Sequence, residues 1–231
     1  MGNRAVICLA KTYEPKTSNQ QGVYIHWNGG YDSVEAFLTY CKLKGYTPPE
    51  MDCYGWARLC QVIGNFFGGS LSIGIDACCK LDCDNGDNGT YLIQDWEIVG
   101  RKYHNGPEQH RYNLTEMLIA IDQAQPVKEQ LGKDFFLADE VPISEIKIGD
   151  EVYMMNPVDS TYKKCTVVGF GDGSRVNGLG RAGIPYVNQY GDEEKGYAWN
   201  PNNYIMTNKV RRCKKREKLK VRKRNATAML H

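Results

Sequence analysis

The sequence predicts an α+β protein in two parts. It reads as an N-terminal antiparallel sheet with about three helices over residues 1–126, a connector over 127–140, a small SH3-like β-barrel over 141–208 and a basic tail over 209–231. Three observations support this. Amphipathic helical stripes interrupt alternating strand patterns in the first part. From Val141 onward only short strand-like runs occur, separated by Gly, Asn, Asp and Pro. The charge is also segregated: Lys209–Arg224 holds eleven bases and one acid, Glu217, whereas the rest holds 18 bases and 26 acids. The formal net charge of +2 is therefore a cancellation of +10 and −8.

In chain order, residues 4–9 form a short apolar run, and residues 22–27 alternate with Val23, Ile25 and Trp27 on one face. Lys11–Gln21 between them fits a hairpin loop. Asp32 and Glu35 have capping-box spacing, and the helix that follows aligns Val34, Phe37, Leu38 and Cys41 before Gly45. Pro48-Pro49 and Asp52 open a second helix, with Trp56, Leu59, Cys60, Ile63 and Phe67 on its stripe and Gly68-Gly69 at its end. Strands are expected over 71–75, 90–93 and 96–103, the last two joined as a hairpin through Gln94-Asp95. Asn113 and Glu116 cap a third helix carrying Leu114, Met117, Leu118 and Ile121, which Pro126 ends. The connector has room for a helical turn. Strands over 151–155, 164–170, 184–189 and 203–210 would make the barrel.

Composition narrows the class. At 42% hydrophobic residues the 231-residue chain can bury a core. No apolar run approaches the roughly 18 residues of a membrane span. Met1–Ala10 lacks a secretory signal, and nine cysteines read as reduced thiols, so a cytoplasmic location without membrane contact is expected.

The basic run is the strongest functional signal. Lys209, Arg211, Arg212, Lys214, Lys215, Arg216, Lys218, Lys220, Arg222, Lys223 and Arg224 can displace counterions from a polyphosphate backbone, with Arg175 and Arg181 as further phosphate contacts. The competing readings are an inert solvated terminus and one folded back on the acidic body. Tyr197 and Trp199, in a polar stretch, are candidates for base stacking. Tyr24, His26 and Tyr31 are a candidate pocket, in which His26 could act as a base paired with Asp32 or a thiol.

Other motifs fail on context. Gly178, Gly180 and Gly183 match G-x-G-x-x-G, but Pro185 follows where a helix is needed. Cys79 and Cys83 form one zinc-like pair without a second, and Asp82, Asp84 and Asp87 miss the EF-hand pattern. No cofactor, metal or catalytic set is expected, and a binding protein is favoured over an enzyme.

Asn3-Arg-Ala-Val-Ile7, the segment from Val23 to Gly30 (Val-Tyr-Ile-His-Trp-Asn-Gly-Gly), the stretch from Tyr54 to Gly69 and the one from Asp84 to Tyr91 resemble poorly characterised proteins of Firmicutes phages and mobile elements. Those proteins share a start of the type Asn-Arg-Ala-x-Ile followed by Tyr-x-His-Trp-x-Gly. The resemblance covers roughly residues 1–125 and transfers no catalytic residue. It implies an accessory protein in the cytoplasm of a bacterial host that counteracts host defence. One form is an anti-CRISPR-like inhibitor bound to nucleic acid or to a nucleic-acid-binding defence protein. The alternatives are a sponge for a small nucleotide signal and an uncharacterised enzyme using His26.

Overall fold

The structure, a computed structural model, describes residues 2–69, 72–155, 162–170, 185–188 and 209–214. The first sheet is built around β1 (Ala5–Leu9), whose five residues are all buried. It has the order β3-β2-β1-β4-β5, with β2 (Gln21–Ile25), β3 (Ile73–Ala77), β4 (Thr90–Gln94) and β5 (Glu97–Lys102).

The β1–β2, β2–β3 and β4–β5 pairs are antiparallel, but β1 and β4 run parallel, so the sheet is mixed where an antiparallel one was expected. The chain crosses two helices and β3 before β4, and β4 enters from the same end as β1. A strand with a parallel neighbour and both faces covered has no exposed side to carry polar residues. That accounts for the unbroken apolar run Ala-Val-Ile-Cys-Leu.

One face packs on α1 (Tyr31–Leu43), α2 (Tyr54–Phe66) and α3 (Leu114–Ala124). The predicted stripe of α1, Val34, Phe37, Leu38 and Cys41, is wholly buried against Ile7, Val23, Ile25 and Ile93. Asp52 accepts from Tyr54 N at 2.8 Å and Gly55 N at 3.2 Å and so opens α2. Asn113 Oδ1 accepts from Thr115 N and Glu116 N, capping α3 as its spacing predicts. The β4–β5 turn falls one residue later than expected. Asp95 and Trp96 both have positive φ, and the buried Trp96 indole donates to Tyr46 O at 2.7 Å, which holds the turn there.

The second sheet has the order β6-β10-β7-β8-β9 and is antiparallel throughout, with β6 (Asp139–Pro142), β7 (Glu151–Met155), β8 (Tyr162–Phe170), β9 (Pro185–Asn188) and β10 (Lys209–Arg212). Among the described residues no pairing joins β9 to β6, and the described strands form a five-stranded sheet without closing into a barrel. It also starts earlier and ends later than the sequence boundaries. β6 lies partly inside the predicted connector, after the short α4 (Lys133–Phe136), and Lys209–Arg212 is an inner strand and not the start of a tail. Val210 explains the second shift: it pairs with Val141 and is buried with Val152, Cys165 and Val167, which draws the flanking bases into the sheet. No helix among the described residues is long and apolar enough to cross a membrane.

Candidate functional site at the polar end of the first sheet

Four segments, 2–4, 26–32, 85–89 and 101–112, meet where β1 and β4 begin and β2 ends. Backbone bonds splice them: Gly29 N donates to Asn3 O at 2.7 Å, Asn3 N to His26 O at 3.2 Å and Asn88 N to Arg4 O at 3.2 Å. Two glycines are required by this closeness. A Cβ on Gly29 would lie 2.6 Å from Asn3 O, and one on Gly89, at φ +69°, would lie 2.3 Å from Lys102 O. Buried Asn85 knits the 82–89 loop, donating to Asp82 O and Gly89 O and accepting from Asp87 N and Gly89 N. The acidic stretch is thus a side-chain-bonded turn.

Asp32 has a different part from the expected one. Gly30 takes the N-cap position of α1, while buried Asp32 accepts from Tyr112 N at 2.6 Å, from Arg111 N and from Ser33 N at 2.7 Å. Its carboxylate pins the 109–112 segment across the helix start. It is therefore already engaged and does not orient His26.

The sheet separates the three residues of the predicted pocket. Tyr24 and His26 come together on the face away from the helices, with Tyr24 Oη 3.0 Å from His26 Nδ1. His26 meets Trp27 edge-on at 4.7 Å, and Trp27 is 44% exposed. Beside them Arg4 Nε donates to Asp87 Oδ2 at 2.7 Å, with Asp82 at 3.8 Å. The hydrogen bond from Arg4 holds the Asp87 carboxyl below the usual carboxylate range. Burial pushes the Tyr24 phenol up, so it stays protonated as the partner of His26. His26 thus faces a phenol, and neither Asp32 nor a thiol.

Tyr31 lies across the sheet, on the helix side, where its ring centroid is 6.3 Å from Tyr91 and 5.1 Å from His110. Arg101 stands over the Tyr91 ring at 5.4 Å and donates to Asn88 O at 2.9 Å. Tyr91 is fully buried, and burial pushes its phenol up to about 12. Among the described residues neither its Oη nor Gln109 Oε1, both buried, has a hydrogen-bond partner. Sequence reasoning missed Arg4, Asp87, Tyr91, Arg101 and Gln109. The available signal was the grouping of Gly29-Gly30 and the two Asn-Gly pairs at strand ends.

The residues of the basic run that the structure describes, Lys209 to Lys214, have partners within the fold. Lys209 Nζ lies 3.8 Å from Glu140, Arg212 Nη1 3.7 Å from Asp150 and Lys214 Nζ 3.4 Å from Asp139. Arg211 sits 4.8 Å over the Phe135 ring. A cleft of about 320 Å³ opens beside this strand, lined by Asp134, Leu137, Glu151, Tyr153, Lys164, Cys213 and Lys214. Lys215, Arg216, Lys218, Lys220, Arg222, Lys223, Arg224, Arg175, Arg181, Tyr197 and Trp199 lie outside the described residues. Among the described residues no group of three His, Cys, Asp or Glu is placed to hold a metal ion. Comparison of the chain with protein-family models, with curated proteins and with solved structures finds no match in any of the three.

Proposed function

We propose that this is a binding protein without turnover, which uses its basic run to grip nucleic acid, or a nucleoprotein complex of a host defence system, as an anti-defence inhibitor. The observation that carries this reading is the division of charge at β10. Lys209, Arg212 and Lys214 have acidic partners within the fold, and Arg211 has an aromatic one, whereas seven bases and one acid follow directly in the sequence. A run of seven bases and one acid that follows directly on a strand held in a sheet carries a net positive charge suited to a polyanion. In this reading the second sheet is an SH3-like platform for that run.

The test replaces Lys215, Arg216, Lys218, Lys220, Arg222, Lys223 and Arg224 by glutamine in the full chain and measures oligonucleotide binding across a salt series. If about seven bases each meet a phosphate, affinity of the natural chain falls on the order of a thousandfold between about 50 and 200 mM salt, and the replaced chain loses both affinity and slope. Equal affinity of the two chains at every salt concentration sinks the proposal.

A second reading, sequestration of a small nucleotide by the first domain, is favoured by the unpartnered Tyr91 Oη and Gln109 Oε1 beside Tyr31, Arg101 and His110. Calorimetry with mononucleotides and cyclic nucleotides tests it. Saturable binding that Tyr31→Ala abolishes supports this reading, and the absence of heat with every nucleotide removes it.

A further inference from the structure

Behind the first sheet, on the face that the helices leave, three thiols from distant parts of the chain share one nest. Cys8 comes from β1, Cys78 from the turn after β3 and Cys83 from the loop leading to β4. Cys8 and Cys78 are fully buried and Cys83 is 2% exposed. Gly22 shows how close the sulfurs lie: a Cβ there would be 2.9 Å from Cys78 Sγ and 3.0 Å from Cys8 Sγ. Cys83 Sγ donates to Cys78 O at 3.2 Å, and Cys8 lies in the same buried cluster as both other thiols.

The protons are unevenly held. Hydrogen bonds to Cys78 and Cys83 push the Cys8 thiol far up, so Cys8 keeps its proton and donates. The bond from Cys8, with help from Thr90 and Lys16, brings Cys83 down to about 7 against the effect of burial. By contrast, burial pushes the Cys41 and Cys60 thiols up on the helix side, Cys41 with a further rise from its neighbour Cys60. A thiolate beside a protonated thiol is the pairing that oxidative disulfide formation needs. The cover is thin. Lys16, whose charge acts on Cys83, pairs with Asp84 at 3.0 Å and lies 4.3 Å over the Tyr103 ring, with both charged side chains about half exposed. Surface pairs of this kind hold weakly, and oxidation of the buried Cys83 requires such a local opening to admit a small oxidant.

We propose that Cys8, Cys78 and Cys83 form an oxidisable site at which hydrogen peroxide converts Cys83 and Cys8 to a disulfide. The Cys83 thiolate attacks one peroxide oxygen. The O–O bond breaks, Cys83 becomes a sulfenic acid and the departing hydroxide is protonated to water. Cys8 then attacks Cys83 Sγ, the S–O bond breaks, and the second hydroxide leaves as water with the proton of Cys8. Two thiols and one peroxide give one disulfide and two waters. Cys78, bonded to Cys8, is placed to exchange into the new disulfide.

The experiment treats the full folded chain with hydrogen peroxide, blocks remaining thiols in denaturant and maps peptides by mass spectrometry. The expected result is a Cys8–Cys83 cross-linked peptide, loss of two hydrogens from the intact chain, and reversal by dithiothreitol, while the exposed Cys53 and Cys79 form no intramolecular pair. Cys8→Ser should abolish the cross-link and leave Cys83 trappable by dimedone as a sulfenic acid. Cys83→Ser, at a loop position that keeps β1 intact, should abolish both cross-link and adduct. Recovery of all three thiols free after peroxide has oxidised Cys53 and Cys79 overturns the proposal, as does a cross-link that forms only in denaturant.

Discussion

The two sheets of this protein are held together in different ways. Among the described residues, the first sheet and its helices enclose a cluster of 23 buried apolar residues, whereas the second sheet has a cluster of six: Val141, Ile146, Val152, Cys165, Val167 and Val210. The first sheet has helices on one face and the thiol nest with its loops on the other. The second meets the first through Phe135, whose ring lies 5.2 Å from Tyr153 and 4.6 Å from Tyr162 and carries Arg211 on top. Phe135 is fully buried in the core of the first domain, so a single side chain from the connector serves both units.

The largest effect should come from removing that link. Phe135→Ala should lower unfolding free energy by about 3–5 kcal/mol. Amide exchange should show Val152, Val167 and Val210 losing protection before Ile7 and Val23; equal loss in both sheets would break the comparison. Next is Asp122, which is buried in the first domain and accepts from Tyr40 Oη at 2.9 Å, Leu131 N at 2.7 Å and Gly132 N at 2.9 Å. It ties α3 to α1 and to the segment that delivers Phe135. Asp122→Ala leaves three donors unsatisfied and should cost about 3 kcal/mol in denaturant titration, with both sheets affected.

Val152→Ala, in the small core, should cost about 2 kcal/mol and loosen the second sheet alone. The smallest effect concerns pH at the sheet end. The folded carboxyl of Asp87 lies below its unfolded value, so its contribution is complete above about pH 4 and is lost as pH falls through the folded value. Arg4→Ala removes the first cause of that depression. Stability of the natural chain should therefore fall more steeply below about pH 4 than that of the variant, and parallel curves from urea unfolding would refute the role of Arg4.

Some of what depends only on neighbouring residues was legible in the sequence. The stripe Val34, Phe37, Leu38 and Cys41 needs only the helical period, and the Asn113 cap needs only donors two and three residues away. Asp32 looked like a second cap of the same kind, but its partners Arg111 and Tyr112 stand 79 and 80 residues away, and two buried backbone donors outweigh one local cap. The strand period placed Tyr24 and His26 on one face, while Tyr31, beyond the Asn28-Gly29-Gly30 turn, passed to the other side of the sheet. Arg4 and Asp87, 83 residues apart, carried no pairwise signal at all.

The sequence by itself determined the α+β class, the helix faces and the separation of a strongly cationic run from an acidic body, because periodicity, turn residues and charge are properties of neighbouring positions. Only the tertiary structure decided that β4 runs parallel to β1, that Lys209–Arg212 belong to a sheet with acidic partners, and that Cys8, Cys78 and Cys83 share one nest. Each of these depends on which distant segments become neighbours once the apolar surface is buried, and that choice is made by packing of the whole chain and not by any local preference.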